Sequence, residues 1–348
     1  MAEVIFAIPG DLAAPTGGYA YARRVLDLMP EHGIAMRHLA LPGGYPDPSA
    51  EDFAATARLV ADTAPDAVLL VDGLAFGAMP EDLVAGFGRR IVALVHHPLA
   101  HETGLPPERR AALHASEARA LALAHRVVAA SPLTARLLAA EYGVPTERIA
   151  VAEPGTDPAP RSRGTGSPVQ LLAVGAVSPR KGFEVLVRAL AGLADPDWRL
   201  TIAGATDRDP AAVAALGRAI AESGVAGRIR LAGEVDDAAL EELYDRADVF
   251  VSASLFEGYG MVLAEAMARG LPLVASTGGA ADDTVSADAA LKVPPGDVGR
   301  LAAALRRVVG DPALRRRLAE GAWAAGQRLP TWSDTAARIA RTLREAAR

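Results

Sequence analysis

Short apolar runs separated by amphipathic stretches set the rhythm of the first half of the chain. Residues 4–8, 68–71, 91–95 and 126–129 carry almost no charge and read as strands, and helical periodicity fills the intervals at 18–29 and 107–124. Alternation of this kind predicts a parallel sheet covered by helices on both faces. The second half repeats the pattern, with strands at 169–174, 199–203, 229–231, 249–251 and 273–274 and helices at 183–190, 236–247 and 297–309. Asp236 and Asp297 open two of these helices, where a carboxylate suits both the cap and the dipole. A final amphipathic stretch, 333–347, has Ser333 as its expected cap. Between the halves, 154–168 is rich in Pro, Gly and Ser and has no periodicity, which marks a break. The expected organisation is α/β: a doubly wound domain at 1–157, a linker at 158–168, a second doubly wound domain at 169–330 and a terminal helical segment at 331–348. No short-period repeat or low-complexity tract interrupts it.

Composition narrows the class. A chain of 348 residues is long enough for two ordinary domains, each with its own core. Hydrophobic residues make up 51% of it, yet no uncharged run reaches the length of about 18 residues that spans a bilayer. The first residues read directly as a buried strand, without a basic-then-apolar signal segment. The absence of Cys excludes disulfides, thiolate catalysis and a Cys-ligated metal. Together these features lead to the expectation of a soluble, cytoplasmic protein. The net charge of −6 resides in residues 1–155, which hold 12 Arg against 18 acidic residues, so a broad basic face for nucleic acid or anionic lipid is not expected. Arg89-Arg90 and Arg109-Arg110 read as solvated pairs. Only two lysines, Lys181 and Lys292, stand among 34 arginines, which makes the position of each lysine informative.

The residues that carry chemistry lie where apolar strands run into helices. After the strand 249–251 comes a turn with Glu257, Gly258, Tyr259 and Gly260, and Glu265 follows eight residues after Glu257. If the helix begins near Tyr259, Glu265 lies about a turn and a half inside it. Acidic residues at a helix start also occur simply because they offset the dipole. After the strand 169–174, Gly175 leads to Arg180-Lys181 and a helix: a planar fork and a compact charge, both suited to phosphate oxygens, with a helix N-terminus behind them. After the first strand, Gly17-Gly18 opens a helix and lets backbone approach a ligand, although any tight strand–helix turn uses such glycines. The run at 92–102 ends a strand with His96, His97, His101 and Glu102. It invites a metal reading, but the adjacent histidines point apart, a proline intervenes and no His-Glu-x-x-His helix backs it. Asp195-Pro-Asp197 and Asp207-Arg-Asp209 read as turns rather than as metal ligands.

The Glu-x7-Glu spacing, with Arg180-Lys181 and Gly17-Gly18, resembles the retaining family 4 glycosyltransferases, and the resemblance extends over nearly the whole chain. It implies the GT-B fold, with two Rossmann-like domains facing across a cleft and the last helix crossing back to the first domain. It also implies that Glu257 holds donor-sugar hydroxyls, Glu265 holds the ribose, and Arg180 and Lys181 neutralise the pyrophosphate, with Gly175, Gly258, Tyr259 and Gly260 lining the donor. Gly17 and Gly18 would face the donor phosphate and the acceptor. His96 is the first choice for reaching the donor sugar, and His97 is the second and lies on the acceptor side. One departure is Gly278-Gly279-Ala-Ala-Asp-Asp, where the family commonly has Gly-Gly-x-Pro-Glu. The implied activity is transfer of a hexosyl group from a nucleoside diphosphate sugar, most commonly a UDP-sugar, with retention and without a metal or other cofactor. The expected acceptor is a small soluble molecule, with a lipid at a membrane surface left open. A nucleotide-sugar epimerase and a non-catalytic nucleotide-sugar-binding protein are the alternatives. A phosphorylase is disfavoured because the chain is short and no lysine is placed for pyridoxal phosphate.

Overall fold

The computed structural model describes residues 3–193, 195 and 197–348. They form two compact units, Met1–Gly155 with Pro330–Arg348 and Thr156–Leu329. Unit 1 contains a six-stranded sheet, β1 (Val4–Pro9), β2 (Met36–Leu41), β3 (Val68–Asp72), β4 (Arg90–Val95), β5 (Arg126–Ala129) and β6 (Ile149–Val151), in the order β2-β1-β3-β4-β5-β6. Every neighbouring pair is parallel. Unit 2 holds β7 (Val169–Val174), β8 (Trp198–Ala203), β9 (Ile229–Gly233), β10 (Val249–Ser252), β11 (Leu273–Ser276) and β12 (Ala290–Val293), in the order β12-β11-β10-β7-β8-β9, again all parallel.

The apolar runs of the interior strands are explained by burial on both faces. In unit 2, Leu171 and Ala173 of β7 pack with Phe183, Leu186, Val187 and Leu190, while Leu172 between them packs with Phe250, Tyr244 and Met267 on the opposite face. The helix Phe183–Ala191 places Phe183, Leu186, Val187 and Leu190 at i, i+3, i+4 and i+7, one continuous face that Ala189 widens. Unit 1 behaves alike: Ile5, Ala7, Leu69 and Val71 join one cluster, and the alternate residues Val4, Phe6, Ile8 and Leu70 are also buried. Each such Val, Leu, Ile, Phe or Met side chain contributes about 1.5–3 kcal/mol by leaving water.

The last helix, Trp332–Ala346, belongs to unit 1 and buries Trp332, Ala336, Ile339, Ala340 and Leu343 as one stripe. Its cap differs from the expectation. Thr331, rather than Ser333, accepts from the Asp334 amide and completes a capping box with Asp334, because the helix begins at Trp332, two residues before a Ser333 cap would start it. Asp236 and Asp297 cap their helices as expected, accepting from Ala239 and Arg300 amides at 2.8 and 2.9 Å.

The segment 158–168, read as a linker, is tied to unit 2. The Ser162 amide donates to Arg269 O at 2.9 Å, Arg163 pairs with Asp245, and the Thr165 and Gly166 amides both donate to Asp248 Oδ1. Its Pro, Gly and Ser content prevented regular structure but not docking. Asp209 caps the helix Pro210–Glu222, donated to by Ala212 N at 2.9 Å, and Asp197 O receives the Val169 amide; Pro196 lies outside the described residues. Among the described residues no helix is long and apolar enough to cross a membrane.

Candidate functional site

Topology selects where ligands can approach. In unit 2 the connections from β7 run outward through β8 to β9, and those from β10 run the other way through β11 to β12, so the order reverses between neighbours β7 and β10. Loops after two such strands diverge and leave a crevice at the carboxyl ends of the strands. The loop after β7 carries Gly175, Arg180 and Lys181, and the loop after β10 carries Glu257, Gly258, Tyr259 and Gly260. The residues singled out from sequence therefore lie on either side of one switch point.

They converge on Glu257, which is only 6% exposed. Lys181 Nζ donates to its Oε1 at 2.7 Å, Arg180 Nη1 donates to its Oε2 at 3.2 Å and to Phe256 O at 3.0 Å, and Ser254 Oγ donates to Oε1 at 2.7 Å. Burial alone would raise the pKa of this carboxyl; the charges of Lys181 and Arg180, with hydrogen bonds from Lys181 and Ser254, outweigh it and hold the pKa at about 2. Two cationic side chains thus meet on one buried carboxylate.

Backbone geometry brings this about. Gly175 has φ +150°, and a Cβ there would come within 2.8 Å of Lys181 Cε, so the glycine makes room for the lysine stem. Gly182 and Gly260 sit in the left-handed region, at φ +63° and +93°, immediately before the helices Phe183–Ala191 and Met261–Ala268. Neither helix has a capping side chain, so the partial positive charge of both N-termini stays available.

Gly278-Gly279, where the sequence departs from the family's common pattern, supports Glu257 from behind. The Glu257 amide donates to Gly278 O at 3.1 Å, the Ala280 amide donates to Glu257 O at 2.7 Å, and Glu257 and Gly279 form a parallel bridge. Thr284 Oγ1 donates to Tyr259 O at 2.7 Å, which fixes the other side of the turn.

Glu265 is nearer the helix start than expected, because the helix begins at Met261 and Tyr259 stays in the turn. Tyr244 Oη donates to its Oε2 at 2.9 Å, and the Arg269 guanidinium lies 4.4 Å over the Tyr244 ring. Burial raises the pKa of Glu265, against the opposing hydrogen bond from Tyr244 and the charge of Arg269.

In unit 1 the strand order reverses between β1 and β3. Gly17 and Gly18 begin the helix Gly17–Leu28 after β1, Asp72 ends β3, and His96 follows β4. A Cβ on Gly18 would lie 3.5 Å from His96 Nε2, and that nitrogen is 3.6 Å from Asp72 Oδ2. Thr134 Oγ1 donates to His96 O at 3.1 Å. Of the two adjacent histidines, His96 is therefore the one beside Gly18. His97 pairs with Glu102 at 3.3 Å and His101 with Glu141 at 2.9 Å, so the run is divided among different carboxylates.

Sequence reading missed Asp72, Ser254, Tyr244 and Tyr21. An acid ending an apolar strand was the available sign for Asp72, and two serines at the end of β10 were the sign for Ser254. Tyr244 and Tyr21 sit on amphipathic helices, where their spacing reads as ordinary core.

Comparison with known proteins identifies the family and the fold. The model of the glycosyl transferases group 1 matches residues 160–324, and that of glycosyltransferase family 4 matches residues 11–160. The chain is similar to D-inositol 3-phosphate glycosyltransferase of Acidothermus cellulolyticus, 32% identical over 252 residues, covering 66% of this chain and 55% of the relative. It spans about half the length of several such curated relatives. Among solved structures, sucrose-phosphate synthase from Thermosynechococcus elongatus superposes with a TM-score of 0.83 at 22% identity, covering 99% of this chain and 98% of that one. Anabaena HepE in complex with UDP-glucose gives 0.76 at 19% identity, covering 98% and 99%. Two models that together extend from residue 11 to residue 324, over two parallel Rossmann-like sheets with reversed order, place the chain in the glycosyltransferases of group 1 and family 4, with the GT-B fold.

Proposed function

We propose that the protein is a hexosyltransferase that moves a sugar from a nucleoside diphosphate donor, a UDP-sugar, to a hydroxyl of a small soluble acceptor, with retention of configuration. The observation that carries this reading is the pair of cations Lys181 and Arg180 gathered on Glu257 beside two uncapped helix N-termini. Such a site suits a pyrophosphate in the ground state and suits it better as charge develops on the leaving oxygen. The UDP-glucose in the HepE structure favours a UDP-sugar.

In this mechanism the bond between the anomeric carbon and the phosphate oxygen breaks and its electron pair stays on the diphosphate. Arg180, Lys181 and the amides at Met261 and Phe183 stabilise that charge. Removing one such donor typically costs ~3 kcal/mol. The acceptor oxygen attacks from the face the diphosphate leaves, and its proton passes to the departing phosphate. Glu257 binds sugar hydroxyls rather than acting as a nucleophile, since its two carboxylate oxygens are engaged by Lys181, Ser254 and Arg180. Glu265 takes the ribose. Gly17, Gly18, His96 and His97 are the groups of unit 1 assigned to the substrates. With two cationic side chains supplying the charge, no metal or other cofactor is assigned a role.

The test is a thermal-shift panel of UDP-, GDP-, ADP- and TDP-sugars with their free diphosphates, since a ligand at one hundred times its dissociation constant stabilises by about 2.7 kcal/mol. The stabilising donor is then followed by NMR for transfer to small acceptors, for the anomeric configuration of the product and for insensitivity to EDTA. Absence of any shift across the panel would remove the reading, inversion would remove the front-face mechanism, and loss of turnover in EDTA would bring a metal back.

A further inference from the structure

The helix Gly17–Leu28 presents Gly18 and Tyr21 on one face, since residues three apart are neighbours on a helix surface. Gly18 lets the His96 imidazole approach the helix, and the Tyr21 ring meets the same imidazole edge to face, with centroids 5.2 Å apart and planes at 85°. On another side Tyr21 meets Trp332, the first residue of the C-terminal helix, with centroids 5.8 Å apart and planes at 70°. Tyr21 is fully buried, and its hydroxyl donates to Ala152 O at 2.9 Å. Burial pushes that phenol up, so it remains a donor.

The contacts of Tyr21 lie at the two places where the chain leaves and re-enters unit 1. Ala152 follows β6 on the way out, and Trp332 begins the returning helix. These two segments are fastened to one another. Thr335 Oγ1 donates to Glu153 O at 2.6 Å, and Gly155 lies so close to the Trp332 backbone that a Cβ would overlap it. The four-residue chain Trp332, Tyr21, His96 and Asp72 thus runs from the C-terminal helix to the ends of β3 and β4.

We infer that Tyr21 is a positioning residue for His96, and that Trp332 sets the position of Tyr21, so the C-terminal helix fixes an imidazole of the unit 1 site through two ring contacts. The inference rests on the assignment of His96 to the substrates. The hydroxyl of Tyr21 anchors the exit segment, while its ring does the positioning, so the two parts of one side chain are separable by substitution.

The experiment uses the full chain with 13C-labelled histidine, the His96 resonance being identified by its loss in His96→Gln. Trp332→Leu and Tyr21→Leu should shift the His96 signal, while His101 and His114, held at Glu141, stay in place and report an intact fold. Trp332→Phe and Tyr21→Phe keep a ring and should leave it near its native position. With UDP-glucose as the probe, turnover in Trp332→Leu should fall between about tenfold and a hundredfold, as for a misplaced group, with the KM for donor unchanged and Trp332→Phe restoring the rate. An unmoved His96 signal in both leucine variants would overturn the inference, whatever their activity. A shifted signal together with full turnover in His96→Gln would support the positioning and remove the functional assignment of His96.

Discussion

The ammonium of Lys181 lies 2.7 Å from Oε1 of Glu257, so the cation assigned to phosphate and the carboxylate assigned to sugar are each other's partner. A diphosphate has to share Lys181 and Arg180 with a fixed negative charge. Glu257→Gln keeps the shape and removes that charge. It is expected to bind free UDP about tenfold more tightly, equivalent to ~1.4 kcal/mol, while turnover of UDP-glucose falls by roughly a hundredfold. Calorimetry with UDP alone separates the two effects, and weaker UDP binding in the variant would show that Glu257 assists the phosphate site rather than competing with it.

Glu265 links nucleotide binding to pH. Burial raises its folded pKa above the ordinary carboxylate value, and the Tyr244 hydroxyl and the Arg269 charge oppose that rise. A ribose hydroxyl is best held by the ionised form, so UDP affinity should decline as the pH falls through a range above the usual 4.5. Tyr244→Phe removes a hydrogen bond that favours the ionised form, which should move the decline to still higher pH. Titrating UDP between pH 4.5 and 7.5 in both proteins checks this. Coincident profiles would mean that the Tyr244 hydroxyl does not govern the carboxyl.

How much of this could be read from sequence depended on burial. The interior strands β1, β3, β4, β5, β7, β10 and β11 are buried on both faces and gave clear apolar runs, while β8 alternates, with Trp198, Leu200 and Ile202 inside and Arg199 exposed. The unread strands β2, β6 and β12 all lie at sheet edges, where Arg37, His38 and Lys292 interrupt the pattern or only three residues pair. Arg180, Lys181 and Glu257 were legible because they stand in glycine-punctuated turns after such strands. Their mutual pairing was not, since 76 residues separate Lys181 from Glu257 and only the strand order brings them together. Tyr21 escaped for the opposite reason: its neighbours His96 and Trp332 are distant in sequence, and its own helix position looks like plain core.

Gly278 should be intolerant of any side chain although it touches no assigned substrate group. An added Cβ would run into the carbonyl of Leu255, in the strand-like segment that carries Glu257. Gly278→Ala is expected to cost about 1–3 kcal/mol through forced backbone movement and to reduce turnover by displacing Glu257. Gly86→Ala is the control, since a methyl there meets nothing within 4 Å. Equal melting temperatures for the two variants would show that the 254–257 segment yields easily and that Gly278 is not needed to hold it.

Glu117 makes the stability of unit 1 fall toward alkaline pH. It is 1% exposed, its Oε2 accepts from the Leu99 amide at 2.9 Å in the loop that follows His96 and His97, and burial raises its pKa to about 8. In the native state it therefore keeps its proton at neutral pH, whereas the unfolded chain loses that proton near 4.5. Between those values the folded form binds more protons, so its contribution is complete below pH 4.5 and is lost as the pH rises through about 8. Glu117→Gln keeps an acceptor for the Leu99 amide and removes the titration. Its melting temperature should match the native protein at pH 5 and exceed it at pH 8.5, by an amount that grows steadily between. A difference that stays constant with pH would mean that Glu117 ionises as readily in the folded chain as in the unfolded one, through water reaching the carboxyl from the 98–101 loop.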